Sequence, residues 1–216
     1  MSASARFDKR YYDRYYRNRR TRVGSARETA VLGGFVCAYL AHLGQPVHRV
    51  LDAGCGLGHW RTVIAERHPR ASYTGIEVSE YLCRELGWTL ASIADYCARG
   101  RFDLIVCQGV LQYLDDRAAA RAITNLGRLC RGALYLEVLT AEDWRDNCDR
   151  RATDGDVHLR PAAWYRRRLA RGFRSCGGGV FLHRDSDAVL YALEGMDVGL
   201  RSKQSGQRGN SHRRRR

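Results

Sequence analysis

The sequence contains no apolar run of 18 residues, which is about the length that a membrane-spanning helix requires. Its first residues also lack the hydrophobic core of a secretory signal. None of the eight cysteines forms a C-x-x-C pair, and four lie within apolar patterns: Cys37, Cys83, Cys107 and Cys130. These absences predict a cytoplasmic protein with reduced thiols, no membrane span and no metal site.

Acidic residues are scarce at both ends of the chain. Residues 1–27 hold nine basic and two acidic residues, and residues 201–216 hold seven basic residues and no acidic one. The intervening residues carry 21 of each sign, so the net charge of +14 comes from the ends. We expect 196–216 to be a disordered basic tail, which is either simply solvated or makes weak, non-specific contact with nucleic acid.

One turn of the chain combines an acid with regularly spaced glycines. Asp52 ends a short apolar run, and Gly54, Gly56 and Gly58 follow at alternate positions before a helical pattern. Glycine tolerates positive φ and has no Cβ, so the backbone of such a turn can approach a ligand closely. The dinucleotide fingerprint G-x-G-x-x-G requires its third glycine where this chain has His59, which disfavours a nicotinamide dehydrogenase. A glycine-rich turn that binds no ligand remains an alternative.

A second acid, Glu77, ends the next predicted strand, 19 residues beyond Gly58. This distance leaves room for one helix and one strand, and it allows an acidic side chain to accept hydrogen bonds from both hydroxyls of a ribose. The alternative is that Glu77 caps the following helix, because Ser79 and Glu80 also form a helix start signal.

A further apolar strand, 101–107, and the residues after it match the pattern F-D-x-(I/V)…V-L-x-(H/Y)-L. With the two preceding acids in place, this order of motifs resembles the class I S-adenosylmethionine-dependent methyltransferases of the small-molecule type, over roughly residues 11–194. The resemblance implies S-adenosyl-L-methionine as the cofactor. It further implies that Gln108 and its neighbours close the pocket beneath the methionine part, and that the remaining cofactor contacts include Asp52, Gly54, Gly56, Gly58 and Glu77.

The chain departs from this family after the second acid. Only 25 residues separate Glu77 from Phe102, so the intervening helix must be short and the third strand is expected at 88–91. Relatives carry an aspartate near the adenine amino group just after that strand. Ser92 and Ile93 occupy the matching place here, so the resemblance implies that Ile93 packs on the ring and that Ser92, or Asp95 beyond it, binds its edge.

Strand and helix patterns alternate through the body, which predicts an α/β fold. We expect a doubly wound, mostly parallel seven-stranded sheet with a terminal antiparallel hairpin, built from residues 47–195. The fifth strand is predicted at 133–139, a further extended piece at 173–183, and the last strand at 188–193.

Residues 1–46 are predicted to form a helical lid or cap. Their aromatic residues recur at helical spacing, at 7, 11, 12, 15 and 16, and so form one stripe. The stripe either docks the helix on the core or lies over the cofactor as a lid, and these roles are compatible. Tyr15 is therefore a candidate for contact with the substrate.

Methyl transfer from a sulfonium is an in-line displacement in which much of the rate comes from positioning. A general base is needed only when the nucleophile carries a proton at neutral pH. The catalytic candidates are His158, Asp149 and Tyr15, although the sequence favours a surface or capping role for His158. We expect transfer to an O, N or S atom of a small molecule. An RNA substrate and a non-catalytic cofactor-binding module are the alternatives, and the missing N-P-P-(Y/F/W) motif disfavours exocyclic base amines.

Overall fold

The structure is a computed structural model that describes residues 6–18 and 24–195. Its strands are β1 (Arg49–Ala53), β2 (Ser72–Glu77), β3 (Thr89–Leu90), β4 (Phe102–Gln108), β5 (Cys130–Glu137), β6 (Phe173–Gly177) and β7 (Val180–His183). Its helices are α1 (Lys9–Tyr12), α2 (Ala26–His42), α3 (His59–Arg67), α4 (Glu80–Leu86), α5 (Asp116–Leu129), α6 (Ala141–Asp146) and α7 (Ala162–Leu169). A π-helical turn (Asp13–Arg17) continues α1, and a short 3₁₀ helix (Leu111–Tyr113) follows β4.

The strands form one sheet in the order β3-β2-β1-β4-β5-β7-β6. The pairs from β3 to β5 are parallel, whereas β7 is antiparallel to both β5 and β6. The predicted fold class, a mostly parallel seven-stranded sheet with a terminal antiparallel hairpin, is therefore confirmed. The chain order reverses direction between β1 and β4, which is where α/β proteins of this kind bind ligands.

Alternate residues of the central strands point to opposite sides of the sheet. Because these residues are apolar on both sides, helices cover both faces. Leu104 and Val106 join one apolar cluster with α2 and α3, while Ile105 and Cys107 join the other with α5 and α7. β4 is thus buried on both sides, which explains its uninterrupted apolar sequence.

The prediction of a last strand at 188–193 is wrong. The antiparallel hairpin is instead formed by β6 and β7, and no strand follows β7 within the described residues. Gly178 and Gly179 have φ values of +57° and +77°, so the chain reverses tightly between these two strands. What was predicted as one extended piece at 173–183 is therefore two strands.

Smaller differences concern the ends of elements. β5 begins and ends earlier than predicted, at Cys130–Glu137, and β3 has only two residues, Thr89–Leu90. The predicted tail, 196–216, lies outside the described residues. Within the described ranges, no helix is both long enough and apolar enough to cross a bilayer.

Candidate functional site

The turn after β1 is built on three glycines with positive φ: +77° at Gly54, +50° at Gly56 and +78° at Gly58. A Cβ on Gly54 would lie 2.3 Å from a methyl of Val110, and one on Gly58 would lie 2.7 Å from the ring of Trp88. A Cβ on Gly56 would meet nothing within 4 Å. Packing therefore requires two of these glycines, whereas the third borders open space.

Glu77 ends β2 opposite this turn and is 4% exposed. One carboxylate oxygen accepts a hydrogen bond from the amide of Gly56 (3.0 Å), and the other accepts from the amides of Val78 (2.7 Å) and Ser79 (3.0 Å). Burial raises the pKa of Glu77, and these three hydrogen bonds oppose the shift. The cap of α4 is Ser79, whose hydroxyl accepts from Leu82, so Glu77 is not needed for that role.

Asp52 lies on β1 beside these groups and is 2% exposed. Burial raises its pKa to about 7, although the hydroxyl of Tyr73 donates a hydrogen bond to its carboxylate. The acid is thus balanced between its neutral and charged forms near neutral pH. A cation placed beside it would favour the charged form.

These groups open into one cavity of about 630 Å³ along the carboxyl edge of the sheet. Seven of the eight proposed cofactor residues line it: Asp52, Gly54, Gly56, Glu77, Ser92, Ile93 and Gln108. Gly58 is not among the lining residues; it starts α3 and packs on Trp88. Asp95 is also absent from the lining, and its exposed carboxylate pairs with Arg121 at 3.3 Å.

A chain of hydrogen bonds crosses the floor of the cavity between β4 and β5. The indole of Trp60 donates to the side-chain oxygen of Gln108 (2.8 Å), and the amide nitrogen of Gln108 donates to Glu137 (3.2 Å). Glu137 also accepts from the hydroxyl of Tyr135 (3.0 Å). Gln108 and Glu137 are therefore held in fixed orientations at the ends of two neighbouring strands.

The roof of the cavity is the amino-terminal segment 6–18, which contributes Phe7, Tyr11, Tyr12 and Tyr16 to the lining. The hydroxyls of Tyr11 and Tyr113 share a hydrogen bond (2.8 Å). At the front of the roof the guanidinium of Arg6 pairs with Asp154 (2.8 Å) and Asp156 (3.1 Å). The segment thus both packs on the core and covers the cavity.

The three catalytic candidates are not brought together. Asp149 lines the cavity, but His158 and Tyr15 do not. His158 is exposed beyond the 3₁₀ helix, and its amide donates to the carbonyl of Gln112 (2.8 Å). Tyr15 packs against Tyr11 and Arg14 instead.

The π-helical turn accounts for the position of Tyr15. The amide of Asn18 donates to the carbonyl of Asp13, five residues earlier, at 3.0 Å. This turn is wider than that of an α-helix, so the residue that joins Tyr11 over the cavity is Tyr16 rather than Tyr15. An α-helical spacing rule alone does not anticipate this shift.

Sequence analysis missed two residues at this site, one that lines the cavity and one that pairs with an acid of its lining. Gln112 is 8% exposed and lines the cavity, and its side-chain oxygen has no hydrogen-bond partner in 6–18 or 24–195. Arg6 was not singled out because its partner, Asp154, is 148 residues away in the sequence. Neither position has a local pattern that indicates such a contact.

A family model described as a methyltransferase domain matches residues 11–194, so the chain belongs to that family. Trans-aconitate 2-methyltransferase of Pseudomonas aeruginosa strain UCBPP-PA14 is 27% identical over 157 residues, covering 69% of this chain and 50% of that protein. The chain therefore spans about half the length of the curated relatives that head the comparison.

Solved structures with the same fold include a sugar N-methyltransferase from Streptoalloteichus sp ATCC 53650. It is 18% identical, covers 80% of this chain and 91% of its own, and has a TM-score of 0.60. Magnesium protoporphyrin IX methyltransferase from Synechocystis PCC 6803 with bound SAH is 21% identical, covers 80% and 88%, and has a TM-score of 0.59. At these identities the likeness concerns the fold.

The family uses S-adenosyl-L-methionine, and the residues of this cavity suit that molecule. Glu77 offers a buried carboxylate to hydroxyl donors, and Asp52 offers one to a cation. Ile93 provides an apolar wall for a flat ring, and the missing side chain of Gly56 leaves room for a ligand against the backbone.

Proposed function

We propose that this protein transfers a methyl group from S-adenosyl-L-methionine to a small-molecule acceptor. One observation carries the proposal: the acids that end β1 and β2 open into the same cavity as the ends of β4 and β5. A cofactor over β1 and β2 and an acceptor over β4 and β5 would lie side by side. Such an arrangement lets positioning supply much of the rate of a displacement.

In this proposal Glu77 accepts hydrogen bonds from the ribose hydroxyls, and Gly54 and Gly56 keep the backbone close to the ligand. Asp52 offsets the positive charge of the cofactor. The bound cofactor supplies an activated methyl group. In the same scheme, Gln108 and the residues beside it form the floor of the cofactor pocket beneath the methionine part. Ser92 and Ile93 border the adenine.

The aromatic roof supports the exclusion of water. Phe7 and Tyr12 are buried, and burial raises the pKa of Tyr12 far above the usual range, so its hydroxyl stays neutral. We propose residues 6–18 as a lid that completes the cavity once the cofactor is bound. We likewise propose the division of the chain into a helical lid or cap segment, 1–46, and a methyltransferase core, 47–195.

The relatives suggest different acceptors. Three of the curated relatives are named trans-aconitate 2-methyltransferase, and the solved structures include a sugar N-methyltransferase. The fold does not choose between these chemistries. A cytoplasmic location is also proposed, because all eight cysteines are free, which suits a reducing compartment.

Isothermal titration of the purified protein with S-adenosylhomocysteine, with NAD as the control, tests the cofactor. We expect one-to-one binding in the micromolar range of the former alone, as for many cofactor sites. Binding of NAD alone, or of neither compound, contradicts the proposal. Binding without transfer of labelled methyl to any of a broad set of acceptors would instead indicate a non-catalytic module.

A further inference from the structure

The acceptor half of the cavity is strongly acidic. Glu137, Asp143, Asp149 and Asp154 all line it, on β5 and on the segment that follows β5. They are separate from the two acids assigned above to the cofactor. A cleft lined by charges of one sign concentrates the field of those charges and attracts ligands of the opposite sign.

Three of these four carboxylates have only neutral partners among the described residues. Glu137 accepts from Tyr135 and Gln108, and Asp149 accepts from a backbone amide. Asp143 forms the capping box of α6 with Thr140, and hydrogen bonds led by that of Thr140 lower its pKa. Only Asp154 has an ionic partner, Arg6.

Basic side chains are missing from the described lining of the cavity. The chain has 37 lysines and arginines, yet none of them is among the lining residues that the structure describes. Its one titratable base is His59, and burial lowers the pKa of that imidazole, so it adds little positive charge. An anionic acceptor would therefore find no lysine or arginine in the described lining to pair with.

One residue of the described lining also has a hydrogen-bond acceptor that is not paired with a donor of the described residues. Gln112 lines the cavity, and its buried side-chain oxygen has no donor within the described parts of the chain, although a buried carbonyl normally has one. A ligand that brings an N–H group would satisfy this oxygen once the amide turns towards the cavity. The rings of Tyr11, Tyr16 and Tyr113 face the same space, and aromatic faces attract cations.

We propose that the acceptor carries a positively charged amine, which is bound between Glu137 and Asp149 with Gln112 accepting one of its N–H groups. This inference rests on the proposed function, and it specifies the class of acceptor. It predicts that tricarboxylates are poor ligands of this cavity, in contrast to the acceptor named for the curated relatives.

Three probes with one phenolic skeleton separate the effect of charge from that of shape. They are tyramine, a cation; 4-ethylphenol, which is neutral; and 3-(4-hydroxyphenyl)propionate, an anion. Each is titrated into the full-length protein saturated with S-adenosylhomocysteine, at low and at high salt. We expect tyramine to bind about tenfold more tightly than the anion, with the neutral probe between them and the difference reduced by salt.

Charge-neutralising variants then locate the effect. Glu137→Gln and Asp149→Asn are each expected to weaken tyramine binding about threefold to tenfold and to leave 4-ethylphenol binding unchanged. The matched control is Glu80→Gln, because Glu80 is exposed on α4 and outside the lining. It should alter none of the three affinities. Retained binding of S-adenosylhomocysteine shows that each variant is folded.

The outcomes distinguish this inference from the proposed function. If S-adenosylhomocysteine does not bind, the proposed function fails. If it binds but the wild type shows no preference for tyramine, or prefers the anion, the amine inference is overturned. Arg19, Arg20 and Arg22 lie outside the described residues. The wild type could prefer the anion and lose that preference when these three arginines are replaced together by alanine. The arginines would then bind the charged group of the acceptor, and the amine inference would likewise be overturned.

Discussion

A glycine can be required for its backbone conformation or for the space that its missing side chain leaves to a ligand. A comparison of Gly56 with Gly44 distinguishes these two requirements. The positive φ of Gly56 is shared with Gly44, where a Cβ would also meet nothing within 4 Å. Valine at either position imposes a similar backbone strain, about 1–2 kcal/mol. Only at Gly56 does the new side chain enter the cavity.

We therefore expect Gly56→Val to abolish binding of S-adenosylhomocysteine, while Gly44→Val binds it normally with comparable loss of stability. Calorimetric titration and thermal unfolding of the two variants check this. Equal affinities in both would remove the turn after β1 from the cofactor site.

Glu77 is expected to contribute to both ligand binding and folding, because three backbone amides already donate to its carboxylate. Glu77→Gln should weaken binding of S-adenosylhomocysteine by about 1–3 kcal/mol, the usual scale for a hydrogen bond to a charged group. It should also lower the free energy of unfolding. Glu66→Gln, on the exposed side of α3, is the control for both readouts. An unchanged affinity in Glu77→Gln would contradict the ribose role.

The raised pKa of Asp52 predicts that the stability of the folded protein depends on pH. The folded state keeps a proton on this acid up to about pH 7, whereas the unfolded chain releases it near pH 4. The stability that this group contributes is therefore complete below pH 4 and is lost as the pH rises towards 7. Asp52→Asn removes this titration.

Between pH 5 and pH 8, the wild type should lose on the order of 2 kcal/mol of unfolding free energy relative to Asp52→Asn. Urea unfolding of both proteins at several pH values measures the difference. Parallel stability curves would show that the acid is not shifted.

At the scale of the element, the sequence predicted well wherever one strand or helix was marked by its own residues. The two acids, the glycines and the apolar β4 were placed because strand ends, turn glycines and buried strands have local signatures. The hairpin was misplaced because 188–193 has an apolar composition that resembles a strand, whereas β5 pairs with β7. Which strand pairs with β5 depends on contacts that are distant in the sequence.

The roof segment is held in part by ion pairs of this long-range kind, which join Arg6 to Asp154 and Asp156. Arg6→Ala leaves Asp154, whose side chain is 9% exposed, without its cation, and so should loosen residues 6–18. We expect faster hydrogen exchange in 7–17 and weaker binding of S-adenosylhomocysteine by about threefold to tenfold. Arg10→Ala, on the exposed side of α1, is the control. Unchanged exchange in Arg6→Ala would show that these pairs do not hold the roof.

At the scale of the whole molecule, the charge of the chain and the charge of its cavity have opposite signs. The net charge is +14, yet the described lining is acidic. The basic ends therefore need not act on the same partner as the cavity. Composition alone did not predict this, because a net charge does not say which residues face one space.

Deletion of 201–216 tests whether the tail serves the enzyme. We expect the shortened protein to bind S-adenosylhomocysteine and to methylate a small acceptor as the full chain does. It should lose any weak binding of a labelled polynucleotide at low salt, because counterion release scales with the number of phosphate contacts. A loss of methyl transfer on deletion would favour the RNA-directed alternative.

The π-helical turn at Asp13–Arg17 has a genetic consequence. It accommodates one residue more than a regular helix of the same height, so deletion of a single codon there would convert it to an α-helix. Deletion of Tyr16 itself would then place Tyr15 four residues after Tyr11, in the position above the cavity, without altering any residue of the sheet. A gain or loss of one codon is therefore a short mutational route by which relatives of this chain can acquire a different roof over an unchanged floor.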